Sequence, residues 1–136
     1  MPYTGRCTCG AVTLAISGAA RATRQCWCGQ CRRMAGGGPA HNALFRAEDI
    51  TLAGPLAQGS YTADSGAHFT QHFCPSCGTP VMGESSALPK YRMVRFGMID
   101  EPHDLRPEVA IWTSQAPDWA VIDPAIPHWP GQTPPA

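Results

Sequence analysis

Seven cysteines in three tight clusters constrain this chain more than any other feature. Cys7-Thr8-Cys9 is a C-x-C step. Cys26-Trp27-Cys28-Gly29-Gln30-Cys31 is a C-x-C-x-x-C run, and Cys74-Pro75-Ser76-Cys77 is a C-x-x-C step followed by Gly78. No cysteine lies outside these clusters. Seven is odd, so intrachain disulfides cannot use them all. The N-terminal residues lack the charged and apolar regions of a signal peptide, and no apolar run reaches the roughly 20 residues of a membrane span. The expected location is therefore the cytoplasm, where disulfides are rare. Reduced thiols at such spacing read as metal ligands or redox centres.

The thin hydrophobic content makes a cross-link necessary. Leu, Ile, Val and Phe together number 21 of 136 residues, below the fifth of the chain that a well-cored domain usually carries. Lys plus Arg equals Asp plus Glu, at 10 each. A chain with zero net charge lacks both the high charge of a disordered segment and the basic footprint of a nucleic-acid or membrane binder. One folded domain with a small core is expected, over residues 1–123. A proline-rich, extended tail is expected over 124–136, tacked down by Trp129 and loose at its last residues.

Short C-x-C and C-x-x-C steps let two sulfurs converge on one ion about 2.3 Å away. In Cys74-Pro75-Ser76-Cys77-Gly78 the proline presets a turn, and the glycine can take the positive φ that closes it. Thiolate-only sets suit zinc, with an iron–sulfur cluster as the rival. C-x-C alone arises by chance, and inert buried thiols are the plain alternative for each pair. Taken together, however, Cys7, Cys9, Cys74 and Cys77 make the four-ligand set of a closed structural zinc. A thioredoxin-like role for Cys74 and Cys77 would need a helix after them, which Pro80 and Gly83 oppose. Cys26, Cys28 and Cys31 remain as a three-ligand set, the pattern of a site zinc with one open position. One of five histidines (His41, His68, His72, His103, His128) could fill it instead, or the triplet could be a redox or metal-sensing group. Two zincs per chain are expected.

Alternation of Val12, Leu14 and Ile16 predicts a half-buried strand over 11–17. Further strands are predicted over 67–73, 91–96 and 108–113, with shorter ones over 41–46, 50–53 and 57–62. The only helix expected spans about 28–35, ended by Gly36-Gly37-Gly38-Pro39. No phosphate loop or nucleophile elbow is present. The reading is all-β with at most one or two very short helices.

With these residues in this order, the chain resembles the glutathione-dependent formaldehyde-activating enzymes, the CENP-V/GFA domain family. The resemblance is carried by Gly5-Arg6-Cys7-Thr8-Cys9-Gly10-Ala11-Val12, by Cys26 to Arg32, and by Phe73-Cys74-Pro75-Ser76-Cys77-Gly78-Thr79-Pro80. Gly97-Met98-Ile99-Asp100, Ile111-Trp112-Thr113-Ser114 and Trp119 match more weakly. It implies an Mss4-like fold of the β-tent type, with small sheets gathered around zinc. It also implies the same partition of cysteines, with Cys7, Cys9, Cys74 and Cys77 structural and Cys26, Cys28 and Cys31 at the catalytic site. The implied activity is that of a carbon–sulfur lyase resembling S-(hydroxymethyl)glutathione synthase, which joins a glutathione-like thiol to formaldehyde or a related aldehyde. The resemblance admits a homodimer and gives no role to nucleic acid or membrane. Two departures stand out: Trp27 and Ala110 occupy positions where the family usually or often has histidine. Arg32 or Arg33 would suit a substrate carboxylate, and Trp27 could wall a pocket. The competing class is a non-enzymatic protein-interaction module of the same fold, in which the triplet is a second structural site.

Overall fold

The computed structural model describes residues 2–133. Its strands are β1 (Tyr3–Arg6), β2 (Thr13–Ile16), β3 (Ala22–Cys26), β4 (Ala40–Arg46), β5 (Ile50–Ala53), β6 (Ala57–Thr62), β7 (His68–Phe73), β8 (Pro80–Ser85), β9 (Tyr91–Arg95) and β10 (Val109–Ile111). Among the described residues the only α-helix is α1 (Gly29–Met34). The all-β expectation holds, and each predicted strand lies within two residues of an observed one. Among the described residues no helix is long and apolar enough to cross a membrane.

The chain forms two compact units. The first comprises the residues up to Arg21 together with Ala43–Asp104. Here β1, β2 and β5 form one antiparallel sheet, with Leu14 opposite Gly5 on one side and Leu52 on the other. Strands β9, β8, β7 and β6 follow the second half of β4 in sequence-neighbour order across another sheet. The alternation read from the sequence is realised in β2 and the residue before it: Val12, Leu14 and Ile16 are buried. They share the core of this unit with Phe45, Val81, Val94 and Met98, and the Tyr3 ring meets Phe45 edge-on at 5.5 Å. Cys7 and Cys74 are buried as well.

Three strands escape the periodicity of the sequence. β1 contains Gly5, and β8 contains Gly83, residues that weaken strands on propensity alone. Both are required by close approach. A Cβ on Gly5 would stand 2.0 Å from the Met98 carbonyl oxygen, and one on Gly83 2.3 Å from the Phe69 ring. β3 is polar in sequence and buries only Thr23 and Cys26.

Gly54, just after β5, is more constrained still. It has φ of +99°, and an added Cβ would meet the Ala11 carbonyl oxygen at 2.0 Å. Gly54→Ala is therefore expected to destabilise the protein by about 3 kcal/mol or more, since it combines backbone strain with a clash against main chain. Thermal unfolding of the variant measures this.

The second unit comprises Ala22–Asn42 and the residues from Leu105 on. β10 runs parallel to β3, pairing Val109 with Arg24, Ala110 with Gln25 and Ile111 with Cys26. A small core gathers Cys26, Cys31, Ala40 and Ile111, with Cys28, Val109 and Trp112 packed against it. The proline-rich segment is held by its main chain. Trp129 N–H donates to Ala110 O at 2.9 Å, Ala110 N–H to Pro127 O at 2.9 Å, and Trp112 N–H to Gly131 O at 3.0 Å. Pro134 and Pro135 lie outside the described residues.

Candidate metal centres

The first centre is built from two turns. Cys7 N–H donates to Val12 O at 2.9 Å and Gly10 N–H to Cys7 O at 3.1 Å, closing one loop. Cys74 N–H donates to Thr79 O at 3.0 Å and Gly78 N–H to Cys74 O at 2.9 Å, closing the other. Gly10 and Gly78 both take positive φ, +81° and +78°. The conformation expected of Gly78 is the one it adopts. Arg6 Nη1 braces the first turn by donating to Thr8 O at 3.3 Å.

These turns bring the sulfurs of Cys7, Cys9, Cys74 and Cys77 within 4.8 Å of one another. Cys7 Sγ lies 3.6 Å from Cys9 Sγ, which lies 3.7 Å from Cys74 Sγ. An ion about 2.3 Å from each of four tetrahedral sulfurs spaces them about 3.8 Å apart. The donor set therefore fits such an ion, and the thiols are far too distant for disulfides. Hydrogen-bond donors aim at the sulfurs. Val12 N–H donates to Cys7 Sγ at 3.3 Å. The Thr79 hydroxyl, 3.1 Å from Cys77 Sγ, leads a group including the Thr79 and Cys9 N–H that lowers the Cys77 thiol to about 5. Donors of this kind favour the thiolate that binds metal.

The second centre lies where β3 passes into α1. Cys26 ends β3, Cys28 is the N-cap of α1, and Cys31 sits in its first turn. Their sulfurs also lie within 4.8 Å of one another, and Cys31 N–H donates to Cys28 Sγ at 3.3 Å. Hydrogen bonds from the Cys26 and Cys31 thiols, joined by the N–H groups of Cys31 and Gln30, hold Cys28 down to about 3. The Cys28 interaction pushes Cys26 up to about 11, and Cys31 is raised by both neighbours, Cys26 first. The cluster thus gives up one proton readily and resists losing more, because successive thiolates repel. A cation among the three sulfurs relieves that repulsion. Each cluster could hold a metal ion. Among the described residues no His, Asp or Glu joins the triplet.

The seven cysteines all fall inside the segment, residues 2–115, that matches the family model of the glutathione-dependent formaldehyde-activating enzymes. The chain belongs to that family. No curated protein matches it. A crystal structure of a Rhodobacter sphaeroides protein, solved as a structural genomics target, shares the fold with a TM-score of 0.61 at 21% identity. The match covers 93% of this chain and 98% of that one.

Several residues of this formaldehyde-activating family member take places the sequence left open. Trp27 is 3% exposed, its N–H donating to Ile111 O at 3.0 Å and its indole Nε1–H to Gln25 Oε1 at 3.0 Å. The Gln25 amide also meets His41 Nε2 at 3.0 Å, and burial lowers the His41 pKa, keeping that ring neutral. Ala110 is fully buried in β10. Trp27 and Ala110 thus both sit in the interior rather than on an open surface. Arg32 donates from Nε to Gly37 O at 3.0 Å and from Nη1 to Gln115 O at 3.5 Å. Arg33 is exposed, and two positions along a helix turn it about 200° from Cys31. Sequence reasoning missed Gln25 and Gln115, whose contacts with His41 and Gly29 no local pattern marks. Thr79 lies in the segment that carries the resemblance, and its hydroxyl reaches the sulfur of Cys77 two residues away.

Proposed function

We propose that this protein is a zinc-dependent carbon–sulfur lyase that adds a glutathione-like thiol to formaldehyde or a related aldehyde, and catalyses the reverse. The observation that carries this reading is the division of seven thiols into a group of four and a group of three. Cys7, Cys9, Cys74 and Cys77 would hold a structural zinc, and Cys26, Cys28 and Cys31 a site zinc. A zinc held by these three thiolates would supply one chemistry, stabilising a substrate thiol as its thiolate, the nucleophilic form.

The surrounding residues serve that chemistry by shaping charge. Three thiolates around a dication leave a net charge of −1, so the site is a poor Lewis acid for a carbonyl and better suited to holding a thiol. The thiol sulfur bonds to the aldehyde carbon, the C=O π pair moves to oxygen, and that oxygen takes the proton the thiol gave up. Atoms balance without a change in oxidation state. Cys26, Cys31 and Trp27 are buried while Cys28 is only partly so, which leaves Cys28 as the ligand closest to solvent access. We place the protein in the cytoplasm, where its thiols stay reduced.

Exchange between formaldehyde and its glutathione adduct, followed by NMR, tests the proposal. Exchange faster than the spontaneous rate is expected with the site metal present. No acceleration in the metal-loaded protein overturns the formaldehyde reading, while a lyase acting on another thiol adduct survives that result.

A further inference from the structure

α1 has six residues, too short to hold its own orientation, yet it and its N-cap supply two of the three thiols of the second centre, Cys31 and Cys28. The third, Cys26, belongs to β3. The relative placement of the three sulfurs therefore depends on what pins the start of α1. A helix start leaves its first N–H groups without partners inside the helix. Cys28 Sγ takes the N–H of Cys31. The N–H of Gly29 goes to a residue 86 positions away, Gln115, whose Oε1 accepts it at 2.8 Å.

Gln115 is itself held firmly. Its N–H donates to Trp112 O at 3.0 Å, closing the short turn Thr113–Gln115. Its carbonyl accepts from Arg32 Nη1 at 3.5 Å, and Arg32 belongs to α1. The grip is therefore reciprocal: the Gln115 side chain holds the start of the helix, and the helix holds the Gln115 backbone. Trp112, just before that turn, packs against the buried group of Cys26, Cys31, Ala40 and Ile111.

We propose that Gln115 is a positioning residue for the three-thiol centre, setting the approach of Cys28 and Cys31 to Cys26 through the Gly29 N–H. The inference rests on the reading that this triplet holds a metal ion. Residues that orient metal ligands typically contribute about 10–100-fold to affinity. Gln115 acts one contact further out, so the low end of that range applies.

The test is titration of the full-length, reduced protein with Zn²⁺ against a chromophoric chelator. Gln115→Met keeps the side-chain volume and loses the acceptor. Gln115→Glu keeps an oxygen at the same reach. Zinc affinity of the three-thiol centre should fall about tenfold in Gln115→Met and stay near wild type in Gln115→Glu. The four-thiol centre should keep its zinc in both, which reports that the variants are folded. Should Gln115→Met not fold, Gln115→Asn, one methylene short of Gly29, gives the same reading. Wild-type affinity in the Met or Asn variant overturns the positioning role. A wild-type protein that binds zinc only at the four-thiol centre overturns instead the metal reading on which it rests.

Discussion

Replacing Cys74 by Ser is expected to leave an insoluble or unfolded protein, and a strong chelator should unfold the wild type. Cys74 is fully buried, and its partner Cys9 lies 65 residues away in the chain. The cluster thus ties an N-terminal hairpin to the middle of the sequence. Metal at a structural four-thiolate site contributes on the order of 10 kcal/mol of folding free energy. A domain of this size has a net stability of about 5–15 kcal/mol, and the aliphatic content here is small. Loss of the ion should therefore remove most or all of the margin. Circular dichroism and metal analysis of the purified variant measure the effect. A well-folded, zinc-free Cys74→Ser protein would rule out the structural role.

Cys28→Ser should give the opposite signature, a folded protein without turnover. Cys28 is only partly buried, and its role at the helix start is to accept the Cys31 N–H. Serine is a preferred N-cap and can take over that bond, so α1 should persist. Serine is a poor zinc ligand beside thiolates, so the variant should lose the metal of this centre and keep that of the other. Thiol–aldehyde exchange should then fall to the spontaneous rate. Metal content and NMR exchange on the same sample check both halves. Wild-type exchange in a variant shown to lack the second metal would detach the chemistry from the triplet.

The two variants are expected to separate folding from chemistry because the proposed function gives the two cysteine groups different work, and the grouping into four and three is legible in the sequence. A C-x-C or C-x-x-C step encodes its own turn within five or six residues, and the glycine after it adopts the required φ, as Gly10 and Gly78 show. Period-2 alternation likewise placed β2 and β10, because a strand buried on one face repeats its apolar residues. The same rule passed over β1 and β8. Their glycines answer to a carbonyl and a ring that arrive from distant segments, and no local period records such an arrival.

The seven candidate ligands were thus named from sequence alone, as was the expectation of a small all-β domain in the formaldehyde-activating family. Tertiary structure set how closely the two turns meet, with the sulfurs of Cys7, Cys9, Cys74 and Cys77 within 4.8 Å of one another. It also decided that Trp27 packs inward with its indole bonded to Gln25, and that Arg32 binds main-chain carbonyls. Most of all, it decided what holds the triplet in place, since Gln115 reaches Gly29 across 86 positions of sequence. Ligand spacing is a property of a few consecutive bonds, whereas the support of a ligand is a property of neighbours in space.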